Sequence, residues 1–183
     1  MDSCFGCNTL WTATTKPLVW IGPVWFGKPM PIESASPCPD FTLPATPGGQ
    51  LSRETLAGAP FVLFLYPRDN TSTCTAEALA FSAALPEFEQ ANCKVIGCSA
   101  DSIASHVKFQ TKHGFNIPLL SDPDHVLIGA LGCWVEKQLY GRRYTGISRS
   151  SFLYDGNGNL VQAWRDIRIK NHVENVLAVA QAI

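Results

Sequence analysis

A run of seven residues, "PFVLFLY" (60–66), constrains this chain more than any other stretch. It carries no charge, is rich in Phe and stops at Pro67. An apolar run this short, with no polar face, reads as a strand buried on both sides. Pro67 has no N–H for a ladder, so the strand ends there. A strand covered on both faces requires a sheet around it and a packed layer on each side of that sheet.

The flanking text supplies those parts. "DFTLPAT" alternates weakly and runs into a turn at Pro47-Gly48-Gly49. "QLSRETLAG" holds a short helical turn closed by Gly58. In "CTAEALAFSAALPEFEQAN", Ala78, Phe81, Leu85 and Phe88 recur at helical spacing, which predicts an amphipathic helix kinked at Pro86. "KVIGCSA" and "IPLLSD" read as short buried strands. Between them, "DSIASHVKFQTKHG" reads as a helix capped by Asp101 or Ser102 and ended by Gly114. "DHVLIGALGCW" predicts a helix that stops near Gly132. "SRSSFLYD" and "LVQAWRDI", joined by "GNGN", form a hairpin. "KNHVENVLAVAQAI" closes the chain as a helix with Val173, Val176, Leu177 and Ala180 on one face. This order predicts an α/β domain: a thioredoxin-like fold, with a central mixed sheet and helices on both faces.

Residues 36–183 hold all of these elements, and residues 1–35 read differently. That segment is rich in Trp, Pro and Gly and shows no period. It is expected to be a non-globular extension, or upstream sequence if translation starts at Met30. Its apolar stretch is broken by Pro23 and falls short of the ~20 residues of a membrane helix. The net charge of −1 and the lack of a basic stripe argue against nucleic acid or an anionic membrane as partner. The seven cysteines are an odd number, so at least one thiol is free or paired outside the chain. This favours a reducing, cytoplasmic setting. Cys4 and Cys7 form a lone C-x-x-C, and the four histidines show no ligand spacing, so no metal or cofactor is implied.

The chemistry is concentrated just past Pro67. The polar loop "PRDNTST" delivers Cys74 into the first turn of the predicted helix. A thiol there meets unpaired backbone N–H groups and the positive end of the helix dipole. Both favour the thiolate, which is the nucleophilic form.

The string "PRDNTSTC" fits Pro-x-x-x-Thr-x-x-Cys and resembles the active-site motif of the peroxiredoxins. "FLYPRDNTSTCTAEALAF" resembles their bacterioferritin-comigratory (Q-type) subgroup. So do "SPCPDFTLPA", "VIGCSADS", "HGFNIPLLSDPD" and "YTGISRSSFLYDGNGNLVQAW", in collinear order from about Pro37 to the C-terminus. The resemblance implies a peroxidase acting on hydrogen peroxide and organic hydroperoxides. Cys74 is then the peroxidatic cysteine and Thr71 the motif threonine that bonds the peroxide. Pro67 shields the thiolate, and Arg149 holds it together with the developing charge. Glu77, one turn after Cys74, is either an arginine partner or a solvated helix residue.

The resemblance also exposes a departure. The subgroup's resolving cysteine usually lies five residues after the peroxidatic one, where this chain has Leu79. Its other location, in a string like F-C-x-K-x-G-F, corresponds here to Gln110. Of the remaining thiols, Cys133 and Cys38 rank ahead of Cys93 and Cys98 as substitutes. The simplest expectation is one-cysteine chemistry, with thioredoxin, glutaredoxin or a low-molecular-weight thiol as reductant and a monomer or weak homodimer as the working form. The alternatives are a thiol–disulfide oxidoreductase, which would want a C-x-x-C at the helix start, and a redox-sensing or holdase-type interaction protein. Trp11, Trp20 and Trp25 are the features that favour the last of these.

Overall fold

In the computed structural model, residues 36–139 and 141–183 are described. The expected extension, with Cys4 and Cys7, lies outside them. The central sheet has five strands in the order β5-β4-β3-β8-β9. The apolar run 60–66 supplies its middle strand, β3 (Phe61–Leu65), with every residue buried. β4 (Lys94–Ser99) lies parallel to it on one side, followed by parallel β5 (Leu119–Ser121). On the other side, β8 (Ser150–Tyr154) runs antiparallel to β3, and β9 (Leu160–Arg165) antiparallel to β8. The β8–β9 turn is built around Asp155, whose carboxylate accepts from the backbone of Asn159 and Asn157.

The pleat sorts the core into two layers. Phe61, Leu63, Leu65, Ile96, Phe152 and Tyr154 face one way. They meet α1 (Arg53–Leu56), α5 (Val126–Ala130) and the short hairpin of β1 (Thr42–Pro44) and β2 (Gln50–Ser52). Val62, Phe64, Tyr66, Val95 and Leu153 face the other way. They meet α2 (Ser72–Ala83), α3 (Leu85–Gln90), α4 (Ile103–His113) and α6 (His172–Ala180). Each fully buried Leu or Phe contributes on the order of 1.5–3 kcal/mol by leaving water. Gly97 is required where these layers are tightest. A Cβ there would lie 2.6 Å from a Leu119 methyl and 2.7 Å from the Phe64 ring.

Most of the expected elements are present. α4 starts from a Ser102 cap and ends at Gly114, whose φ of 70° is the left-handed value a helix stop requires. The kink expected at Pro86 is a full break at Ala84, two residues earlier. Pro86 then sits in the first turn of α3, where its missing N–H breaks no bond. One element was not anticipated. β6 (Trp134–Leu139) and β7 (Arg142–Ile147) form a separate antiparallel hairpin between α5 and β8.

Candidate active site

The site begins where β3 ends. Pro67 and Arg68 are exposed, Asp69 turns inward, and Asn70 takes a left-handed φ of 58° before the chain enters α2. Thr71 is the N-cap of α2, but its side chain does not cap the helix. Its hydroxyl donates to the Arg68 carbonyl instead, at 3.2 Å. The first intrahelical bond runs from Thr75 N–H to the Thr71 carbonyl. The N–H groups of Ser72, Thr73 and Cys74 therefore point out of the helix start with no intrahelical acceptor. No acidic side chain occupies this first turn to compete for them. An ordinary helix gains about 1 kcal/mol from a capping side chain; this one leaves its positive end open beside Cys74.

Cys74 is 2% exposed. Arg149, at the foot of β8, crosses to it and donates from Nη2 to Sγ at 3.1 Å. The other guanidinium nitrogen of Arg149 bonds Glu77 Oε2, so one planar fork joins the thiol to the carboxylate. Burial works against the charge on Arg149, but Glu77 and Cys74 hold its pKa above the usual value. The Arg149 backbone is fixed as well, its carbonyl accepting from Ile167 N–H at 3.1 Å.

Glu77 is fully buried and pairs with Arg149, which decides between the two sequence readings of that residue. Its second oxygen has no partner, and burial pushes the carboxyl up to about 7 against the pull of Arg149. α2 thus departs from a simple amphipathic pattern: the charged Glu77 faces inward and apolar Leu79 is 41% exposed. His172, at the start of α6, packs against Phe81 and Trp164, with Nε2 bonded to Ser151 Oγ at 2.9 Å. Burial, and secondarily Arg149, lowers its pKa to about 4.

The other described thiols are placed away from this chemistry. Cys38, Cys98 and Cys133 belong to the opposite layer, with the sheet between them and Cys74. The fold gives no support to ranking Cys133 and Cys38 first as substitute partners: Cys38 on the entry segment and Cys133 after α5 both pack into the layer across the sheet from Cys74, and parity along β4 sends Cys98 there too. Cys93 shares a layer with Cys74 but precedes β4, at the far end of the strands. Burial pushes Cys38 up to about 11 and Cys93 up to about 12, and it raises Cys98 and Cys133 too. Arg165 reaches Cys133 at 3.8 Å, but burial outweighs it. Gln110 donates to the Ile117 carbonyl at 2.7 Å and ties α4 to the segment that follows it.

A buried polar group behind the loop went unread in the sequence. Asp69 accepts from Tyr66 Oη at 2.8 Å, from Ser105 Oγ at 2.7 Å and from His106 Nδ1 at 2.9 Å. Burial raises the Asp69 carboxyl, yet these donors, led by His106, hold it below the usual range. Aspartate in a polar loop and histidine on a helix 37 positions away carry no joint spacing signal.

The AhpC/TSA family pattern matches residues 35–163. Peroxiredoxin Bcp of Xanthomonas campestris is 43% identical over 143 residues, which span 78% of this chain and 89% of that protein. A solved cysteine-to-serine variant of Xylella fastidiosa PrxQ superposes with a TM-score of 0.78 at 34% identity, covering 82% of this chain and 96% of the other. Structures of Xanthomonas campestris bacterioferritin comigratory protein, described in terms of alkyl peroxide reduction, give 0.74 at 42% identity over 78% of this chain and 90% of that one. The fold is accordingly thioredoxin-like. The chain belongs to the AhpC/TSA family and, within it, to the peroxiredoxins of the bacterioferritin-comigratory, or Q, type.

Proposed function

We propose that this peroxiredoxin reduces hydrogen peroxide and organic hydroperoxides at Cys74 and is returned to the thiol by an external thiol. The observation that carries the reading is the Arg149 fork, which bonds Cys74 Sγ and Glu77 together at the open N-terminus of α2. The thiolate sulfur attacks one oxygen of the hydroperoxide, and the O–O bond breaks. Sulfur keeps a hydroxyl as sulfenic acid, and the leaving oxygen takes a proton to depart as water or alcohol. Charge builds on that leaving oxygen, and fixed donors pre-aimed at it lower the barrier. Arg149 and the uncapped N–H groups are the donors in reach of the sulfur. Thr71, with acceptor capacity left after its bond to Arg68, holds the incoming peroxide, and Pro67 limits water at the loop.

The separation of the described thiols supports regeneration from outside the chain. In the folded arrangement no described cysteine lies beside Cys74. An external thiol attacks the sulfenic sulfur and water leaves. A second thiol then releases Cys74 from the mixed disulfide. Thioredoxin, glutaredoxin and small thiols all fit this step, in a reducing compartment such as the cytoplasm. Among the described residues no helix is long and apolar enough to cross a membrane.

The test is one round of peroxide treatment followed by disulfide mapping by mass spectrometry. We expect dithiothreitol-dependent peroxide consumption that Cys74→Ser abolishes, and a Cys74 adduct with the added thiol. A high-yield bridge from Cys74 to any other cysteine of this chain, Cys4 and Cys7 included, would overturn the one-cysteine cycle.

A further inference from the structure

The loop that prepares the pocket is exposed at Pro67, Arg68, Asn70 and Thr71, and one residue, Asp69, turns into the protein. That residue is held from several directions. Its carboxylate takes the hydroxyls of Tyr66 and Ser105 and the Nδ1 edge of His106. Its own N–H donates to Asp101 Oδ2 at 2.8 Å, and the same oxygen accepts from Ser99 Oγ at 2.8 Å. His106 is held in turn, with Nε2 at 3.2 Å from the Leu120 carbonyl. Both ring nitrogens thus face oxygen atoms, which fixes the plane and direction of the ring. Through Asp69 the loop is tied to the ends of β3 and β4, to α4 and to β5.

Such a network is not what stability alone favours. A buried polar network of this kind contributes little net stability compared with apolar groups of similar volume. It does fix direction, and the residue it fixes lies two positions from both Pro67 and Thr71. Asn70, between the anchor and Thr71, makes the turn at a positive φ, a conformation asparagine adopts more readily than most residues. The network makes no described hydrogen bond to Arg149, Glu77 or Cys74. The nucleophile has its own support, from α2 and β8.

We propose that Asp69 and His106 form a positioning pair for peroxide reduction. They set Pro67 and Thr71 at the distance where a peroxide is received, and they act on how substrate is held rather than on the reactivity of the sulfur. The proposal rests on the reading of Cys74 as the peroxide-reducing thiol.

The two contributions separate in one experiment. Reduced protein is reacted with hydrogen peroxide in stopped flow, and in parallel with iodoacetamide, with alkylation followed on the Cys74 peptide by mass spectrometry. Iodoacetamide needs the thiolate but has no use for a peroxide-binding loop. For Asp69→Asn and His106→Gln we expect the peroxide rate constant to fall about 10- to 100-fold while alkylation stays within about twofold of the parent. Circular dichroism and a thermal melt establish that each variant is folded. Ser105→Ala removes one donor to Asp69 and keeps the His106 contact, so it carries the test if the other variants do not fold; its peroxide rate should fall about threefold, again without a matching loss of alkylation. Parallel loss of both rates, or loss of neither, would overturn the proposal. A parent protein that fails to consume peroxide would instead defeat the assignment of Cys74 itself.

Discussion

Glu77 is the residue on which the site's charge balance turns. A fully buried carboxylate with one oxygen paired and the other orphaned is an unusual thing for a helix to carry inward. Burial raises its carboxyl from 4.5 to about 7, so in the interval between those values the folded protein binds more protons at this position than the unfolded chain. The Glu77 contribution to stability is therefore complete below the lower value and is lost as pH rises through the upper one. His172 works the opposite way. Its value falls from 6.5 to about 4 in the fold, so its contribution is present at neutral pH and is lost on acidification. The raw stability curve mixes the two, and the informative quantity is the difference between the parent and Glu77→Gln. We expect that difference, measured as urea midpoints, to change across pH 4.5 to 7 in the sense that the parent loses ground as pH rises. A pH-independent difference would mean that Glu77 is an ordinary ionised partner of Arg149. The motif letters pointed to Cys74 and Arg149 directly; the burial of Glu77 had no such signal, because one turn of spacing fits a solvated glutamate equally well.

Among the elements, those with strong periodicity were the legible ones. β3, α4 and α6 follow their apolar patterns, and the β8–β9 hairpin follows its Gly/Asn turn. The β6–β7 hairpin was not legible, for a physical reason. Its strands pair with each other rather than with the sheet, and β7 is exposed from Arg142 to Thr145, so no alternation of apolar and polar residues is imposed on it. α2 is legible as a helix and in its buried face, Ala78 and Phe81, but not at Glu77 and Leu79, which reverse the usual sides. The tightest element contact makes a prediction of its own. Gly97 on β4 leaves no room for a methyl between Leu119 and the Phe64 ring. Gly97→Ala should destabilise the fold by about 1–3 kcal/mol through overpacking, read as a lower urea midpoint with an unchanged m-value. An unchanged midpoint would show that this part of the core yields freely.

At the scale of the whole molecule, the sheet is a partition. Cys74 lies on one side, with Cys93 at the far end of the strands, and Cys38, Cys98 and Cys133 are stored on the other, where burial keeps them as thiols. Among the described residues no second thiol lies beside Cys74, so in the proposed one-cysteine cycle an oxidising equivalent that arrives there has no internal route of discharge while the fold is intact. It waits on one sulfur atom until a reductant collides with it. During that wait a second peroxide competes with the reductant, and its success converts the sulfenic acid to sulfinic acid irreversibly. The fraction of protein lost per turnover should rise linearly with peroxide at fixed thiol and fall as thiol is raised, and intact-mass measurement of the sulfinic form after counted turnovers tests this. A loss independent of thiol would show that resolution does not depend on collision. In that cycle the partition would make the chain a recorder of its surroundings: the share of molecules retired at any moment would be a running tally of peroxide exposure divided by reductant supply.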